Sequence, residues 1–426
     1  MSIIALTRDA RYYRFVVVGL LVCAGCIAYL DRTAMAIANL EIGHDFGLSY
    51  STLGLLLSST TWFYMSAQLP AGVLSDRLPA RWLLLASLLS WGASQILCGT
   101  ANGVGGVLLG RCALGLGEAP LFLAGTRVIK QWFDETECAA PIGVFSASAS
   151  FGQTIAPAIL SSIMVRWGWH AMFLWIGVAS AVMGVVWGMF YRDPGTQGVR
   201  SPSPRPTAAP APPPAARGMT FYLRHLLANR TAWAMAVGFM GVMYLLWLYS
   251  AWLPTYLRTV QHFSAEDAGY LATIPQLSGF LGGLCGGFIV DALARRGLPP
   301  LLCSRQPLAW ALSVASVATM AAGLTHMAWL TLSIMSIALF AVGVAMTCGW
   351  TLGAVIVGED AVATMEAFQN VGGSFGAAMA PIVTGVAVQA TGAYLSALVI
   401  AGAIGVGCVL VYILGVRRTI DLDGIA

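Results

Sequence analysis

Four ionisable residues interrupt stretches that are otherwise apolar. Asp31 and Arg32 stand side by side in "RFVVVGLLVCAGCIAYLDRTAMAIANL", and Arg111 and Glu118 stand seven apart in "GRCALGLGEAP". Arginines can hold an anion, and carboxyls can carry a proton. A charge at the centre of a bilayer costs about 2.5–3.5 kcal/mol, so such groups persist there only for a use. A spacing of seven puts Arg111 and Glu118 on one helix face about 10 Å apart, and each then needs a partner from another helix or from water. Asp31 and Arg32 diverge by about 100° around their helix and do not face each other. The spacing predicts a crossed arrangement in which one arginine neutralises carboxylates and the other is free to receive an anion. Which does which is left open by the residues.

The elements that position these groups follow from composition. Only 9% of the 426 residues are charged, 58% are hydrophobic and the mean hydropathy is +0.78, against roughly 25% charged residues in a soluble domain. A polytopic membrane protein is expected, and its first span reads as an uncleaved signal anchor because no A-x-A-like site follows it. The nine cysteines are scattered through apolar stretches as small hydrophobes, and Cys23 and Cys26 have no third ligand nearby. The five histidines fall in loops or at span ends without metal spacing, and there is no phosphate-binding loop, which argues against ATP-driven work.

Twelve stretches of roughly 20 apolar residues are found, near 14–38, 52–75, 81–101, 104–128, 139–163, 170–191, 230–257, 267–293, 303–324, 328–356, 361–388 and 392–416. A Pro/Ala-rich run, "RDPGTQGVRSPSPRPTAAPAPPPAARG", favours extended polyproline geometry and separates six from six. The expected domains are a first bundle over 1–191, a cytoplasmic linker over 192–229 and a second bundle over 230–426. With both termini cytoplasmic, eighteen of the 22 Lys and Arg fall on the cytoplasmic side, Arg166 and Arg258 fall outside, and Arg32 and Arg111 lie within the membrane. A multi-pass protein of a cell membrane, a bacterial inner membrane, is the expectation.

The halves echo each other. "SFGQTIAP" (150–157) returns as "SFGAAMAP" (374–381), and "GVLSD" (72–76) as "GFIVD" (287–291), at offsets of 224 and 215; similar offsets at equivalent places indicate duplicated architecture. "GVLSDRLPARW" carries Gly72, Asp76, Arg77 and Arg81, and "GGFIVDALARRG" carries Asp291 and Arg295. This loop is similar to the signature of the major facilitator superfamily, in which the glycine allows close helix approach and the charged residues latch the cytoplasmic side.

The resemblance narrows to the anion:cation symporter family of galactonate- and hexuronate-type sugar-acid carriers, on "YLDR", "WFY", "GRCALGLGEAP", "RVIKQWF", "WLYSAWLPTYL" and "YRDP". It implies the major facilitator fold and import of a small organic carboxylate with a proton by alternating access. It implies Arg32 as the carboxylate ligand, Arg111 as partner of Asp31 and Glu118, and those two carboxyls as proton carriers. Tyr29, Tyr64, Gln68, Ser150, Trp350 and Asn370 are the implied substrate contacts. The chain departs from the galactonate-type pattern where Ser150 and Phe239 align with glutamines and Gly349 replaces a hydroxyl residue, so a less hydroxylated dicarboxylate or an aromatic acid competes with a sugar acid. Proton-coupled efflux, or a channel or receptor without coupling, are the other readings. No cofactor, metal, enzymatic activity or nucleic-acid partner is expected; the bilayer and the organic anion are the partners, and the protein is expected to be a monomer.

Overall fold

The computed structural model describes residues 10–134, 137–194, 219–325, 327–358 and 361–420, and among these residues everything beyond short connections is helix and none is strand. In hydrocarbon every unsatisfied backbone group costs several kcal/mol, and a helix satisfies its own. The helices are α1 (Ala10–Asp45), α2 (Tyr50–Arg77), α3 (Ala80–Gly99), α4 (Val104–Glu118), α5 (Pro120–Trp132), α6 (Ala139–Phe190), α7 (Met219–Ala228), α8 (Arg230–Thr259), α9 (Ala265–Arg295), α10 (Pro300–Ala322), α11 (Ala328–Val355), α12 (Val362–Thr391) and α13 (Tyr394–Gly415).

Among the described residues nine helical stretches are long and apolar enough to cross a membrane. One of them, Ala140–Phe190, has 51 residues, about 77 Å of helix against a hydrocarbon core of about 30 Å. It is broken at Gly168, where φ is 80° and ψ 168°, a conformation that glycine adopts without steric cost, so it supplies two crossings. With α2 and α10, of 28 and 23 residues, the set accords with twelve crossings. The fifth and sixth predicted spans are thus two helices joined directly at Gly168. The stretch read as linker contains the ten-residue α7; its residues 195–218, like Arg8, lie outside the described residues.

The chain divides into two compact units, one of Met1–Phe46 with Ser59–Pro212 and one of Gly47–Ser58 with Pro213–Ala426. In the first, α1 is tied to the second part of α6 near both its ends. The Tyr13 hydroxyl donates to the Phe190 carbonyl at 2.7 Å and accepts from the Arg192 amide at 2.8 Å, while Trp169 Nε1 donates to Asp45 Oδ2 at 2.7 Å. A core of Trp91, Trp132, Phe145, Trp187 and Tyr191 fills the space between the helices. In the second unit α11 packs on α9 with Thr347 Oγ1 donating to the Gly283 carbonyl at 2.8 Å. Trp252 of α8 donates to the Pro381 carbonyl of α12 at 3.2 Å, and Tyr50 joins Trp252 and Tyr394 in one aromatic cluster.

The crossing of α3 and α6 is set by glycine. A Cβ at Gly177 would stand 2.8 Å from the Gly92 carbonyl oxygen and 2.9 Å from the Ile96 amide, contacts that backbone cannot yield. Gly177→Ala should therefore lower the unfolding free energy of the purified protein by about 1–3 kcal/mol. Gly19→Ala, where a Cβ would meet nothing within 4 Å, should leave thermal stability unchanged or slightly raised. Equal melting temperatures for Gly177→Ala and the wild type would contradict this packing.

Candidate functional site

The four intramembrane charges all lie in the first unit, where α1, α2, α3, α4 and the second part of α6 supply the side chains around them. Glu118 ends α4, two residues before Pro120 opens α5. Proline cannot donate a backbone hydrogen bond, so the ladder is interrupted beside this carboxyl. At Gly115 a Cβ would stand 2.8 Å from the Tyr64 amide and 3.1 Å from Phe63 Cβ. Glycine there lets α2 lie close on α4 and brings Tyr64 to the level of Glu118.

Arg32 Nε and Glu118 Oε2 are 2.7 Å apart, with side-chain exposures of 12% and 0%. The guanidinium carbon lies 5.0 Å from the centre of the Tyr29 ring and 4.5 Å from that of Tyr64. Each such cation–π contact is worth about 0.5–2 kcal/mol when desolvated, and two of them fix the plane of the guanidinium. Among the described residues Glu118 takes only Nε, and the two terminal nitrogens of Arg32 have no hydrogen-bond partner. Those nitrogens form the edge that suits a carboxylate in a bidentate pair. Glu118 Oε1 is buried without a partner among the described residues.

Asp31, one residue earlier, points to other neighbours. Its Oδ1 accepts from Gln95 Nε2 of α3 at 2.7 Å and its Oδ2 from Ser180 Oγ of α6 at 3.2 Å, and the residue is fully buried. Arg111 Nη1 reaches the backbone carbonyl of Asp31 at 3.4 Å, not its carboxyl, and Arg111 Nε is buried without a partner among the described residues. Thr60 of α2 donates to the Arg111 carbonyl at 3.1 Å. Two polar sets therefore sit back to back on α1: Arg32, Glu118 and two tyrosine rings on one side, Asp31, Gln95, Ser180 and Arg111 on the other.

The direct pairing adds to the expectation. Among the described residues the direct ion pair of Glu118 is with Arg32 of α1, while Arg111, two turns away on α4, faces Glu118 only through space. Arg32 is thus paired through one nitrogen and open through two. Gln95 and Ser180 were missed in the sequence, although an amide within a predicted apolar span is itself a signal, because a buried amide demands partners.

Gln68 is half-buried and Ser150 exposed, and their side chains have no hydrogen-bond partner among the described residues. In the second unit Trp350 and Asn370 are half-buried, the latter also without such a partner. Phe239 is fully buried and stands behind Trp350, their rings 5.1 Å apart at 70°, so it lines no open surface. Gln369, also missed, donates to the Gly349 carbonyl at 3.1 Å. Of the loop residues, Asp76, Arg77, Asp291 and Arg295 are exposed, and a Cβ at Gly72 would meet nothing within 4 Å. Arg81 donates through Nε and Nη2 to the Gly188 carbonyl near the end of α6 at 2.9 and 2.7 Å. Arg127, close by, donates to the carbonyls of Ser75 and Leu78. Among the described residues no cluster of His, Cys, Asp or Glu is placed to hold a metal ion.

The sequence profile of the Major Facilitator Superfamily matches residues 21–365. The chain is 33% identical over 405 residues to the Escherichia coli (strain K12) protein named "Probable L-galactonate transporter", covering 94% of this chain and 89% of that one. It is 27% identical over 426 residues to a Bacillus subtilis (strain 168) protein named a probable galactarate/D-glucarate transporter, covering 94% and 91%. A solved bacterial homolog of the human lysosomal transporter Spinster superposes with a TM-score of 0.74 over 95% of both chains at 20% identity, a likeness of fold.

Gln95→Leu removes one of the two side-chain donors that Asp31 has here and should destabilise the protein by about 1–3 kcal/mol, read as a lowered melting temperature. Gln68→Leu should change it little. A Gln95→Leu protein as stable as the wild type would show that the amide does not support Asp31.

Proposed function

We propose, from the premise that the chain belongs to the Major Facilitator Superfamily, that this multi-pass membrane transporter imports a small organic carboxylate together with a proton. The substrate class is a sugar acid of the aldonate or hexuronate kind, as the names of the similar transporters suggest. The observation that carries this reading is the Arg32–Glu118 pair, with a guanidinium held between two tyrosine rings and open on its outer edge.

Charge counting supplies the coupling. With Asp31 and Glu118 ionised, the two carboxylates and two arginines sum to zero. A carboxylate entering at Arg32 leaves one negative charge in excess in a low-dielectric interior, where an uncompensated ion costs several kcal/mol. One proton restores neutrality. Glu118 is the natural acceptor, because the incoming anion competes with it for Arg32 and its second oxygen already lacks a partner among the described residues. Asp31, held by two neutral donors and lying beside the Arg111 guanidinium, is the second proton site. Tyr29, Tyr64, Gln68 and Ser150 are the proposed substrate contacts of the first unit, and Trp350 and Asn370 are those proposed for the second. The two loops with Asp76, Arg77, Arg81, Asp291 and Arg295 act as cytoplasmic gates, with both termini on that side. Protons are the only coupling agent, no cofactor is used, and the carrier works as a monomer.

In proteoliposomes with an imposed pH gradient, the wild type should accumulate labelled D-galactonate or D-glucuronate above equilibrium. Arg32→Ala should abolish binding and uptake. Glu118→Gln should lose pH-driven accumulation while still exchanging internal for external anion. Carboxylate binding of normal affinity in Arg32→Ala, or undiminished pH-driven accumulation in Glu118→Gln, would refute the respective assignment.

A further inference from the structure

Within the first unit, two arginines converge on one oxygen at the end of α6. Arg81, in the first turn of α3, donates through Nε and Nη2 to the Gly188 carbonyl at 2.9 and 2.7 Å. Arg192, just past α6, donates through Nη1 to the same oxygen at 3.3 Å and to the Tyr191 carbonyl at 3.0 Å. The last carbonyls of a helix lack intrahelical donors, so one guanidinium here meets an ordinary need. A second brings like charges together, and they repel. Among the described residues neither arginine is in an ion pair, and Asp193, the next residue, pairs with neither. Arg81 Nη1 and Arg192 Nε and Nη2 have no partner among the described residues and are not enclosed.

The pair is held in place from the backbone side. Trp187 Nε1 donates to the Arg81 carbonyl at 3.2 Å, and the Arg192 amide donates to the Tyr13 hydroxyl at 2.8 Å. The Arg81 guanidinium carbon lies 5.0 Å from the centre of the Trp82 ring, which is itself 58% exposed. Two turns further along α3 Leu89 is exposed, and on α6 Val182, Val185 and Met189 are exposed at spacings of three and four. Such spacings keep each set on one helix face. An exposed apolar face on a membrane-spanning helix is solvated by acyl chains. Both faces run out at the arginine pair, one at Trp82 beside Arg81 and the other at Met189 beside Arg192.

We propose that Arg81 and Arg192 bind the phosphate of an acidic phospholipid, a phosphatidylglycerol of the leaflet at this end of the helices, with its acyl chains along the exposed faces of α3 and α6. A phosphodiester offers two unesterified oxygens that share one charge, and the guanidinium fork matches them in geometry. A soluble anion would satisfy the arginines and leave the apolar faces unused. A zwitterionic lipid brings an ammonium that the two cations repel, so the acidic lipid is selected. Once bound, the lipid joins the first turn of α3 to the end of α6. This site is separate from Arg32 and stands whether or not the carboxylate reading there holds.

The test is native mass spectrometry of the purified full-length protein in detergent, titrated with phosphatidylglycerol or with phosphatidylcholine of the same chains. The wild type should bind its first phosphatidylglycerol at least about tenfold more tightly than its first phosphatidylcholine. Arg192→Gln should shrink that ratio to about twofold or less, and Arg192→Lys, which keeps the charge without the fork, should retain part of it. Arg81→Gln should shrink the ratio in the same way and serves if Arg192→Gln fails to fold. Arg418→Gln, at an exposed arginine of the second unit, should leave the ratio unchanged. Neither inorganic phosphate nor glycerophosphoglycerol, the headgroup without its chains, should displace the lipid at equal concentration. A wild-type ratio near one, a ratio unmoved in the Arg192 and Arg81 variants, or an equal loss in Arg418→Gln would each overturn the proposal. Displacement by the free headgroup or by phosphate as effective as by lipid would overturn it too, in favour of a site for a soluble anion.

Discussion

A cation and a carboxylate joined at 2.7 Å in the interior of a membrane protein impose a condition that the surrounding helices must meet. Breaking such a pair by removing one partner costs about 3–5 kcal/mol, so Arg32 and Glu118 hold each other, and α1 and α4, in register. The condition also makes the site responsive. A salt bridge that uses one guanidinium nitrogen leaves an edge suited to an anion, and on the proposed reading an anion taking that edge shares the guanidinium charge and weakens the hold on Glu118. The ring contacts of Tyr29 and Tyr64 do not depend on the charge of the carboxyl, so in the proposed exchange of counterions they hold the guanidinium in place.

The fold makes this possible by close approach. Gly115 allows α2 onto α4, and Gly177 allows α6 onto α3. These crossings deliver Tyr64 to Arg32 and Gln95 and Ser180 to Asp31. The ties of α1 at Tyr13 and Asp45 keep the charge-bearing turn between fixed ends. In the second unit, Phe239 and Gly349 are one packing arrangement: the ring occupies the place that a side chain at 349 would claim.

Much of this was legible in the sequence. Charges in apolar stretches picked out Asp31, Arg32, Arg111 and Glu118, and span length and duplicated segments led to the two-half membrane fold. The pairing was not legible. Adjacent residues on a helix diverge by about 100°, and which neighbouring helix each meets is decided by tertiary crossings that glycines set without a periodic signature. Arg111, for instance, hydrogen-bonds the Asp31 backbone among the described residues and faces the two carboxyls through space. Gln95, Ser180 and Gln369 left a weaker trace, as polar residues inside apolar helices among many Ser and Thr that merely bond their own backbone. Phe239 was visible as a departure from a pattern, but that it stands behind Trp350 depends on the crossing of α8 with α11.

Protons followed while an anion binds report most directly on the exchange of counterions proposed at Arg32. In a weakly buffered solution of the purified protein, addition of saturating D-glucuronate should draw about one proton from solution per anion bound, the number that neutrality requires of a low-dielectric site. The uptake should vanish in Glu118→Gln. Binding with no change in bound protons would contradict the exchange of counterions at Arg32 on which the mechanism rests.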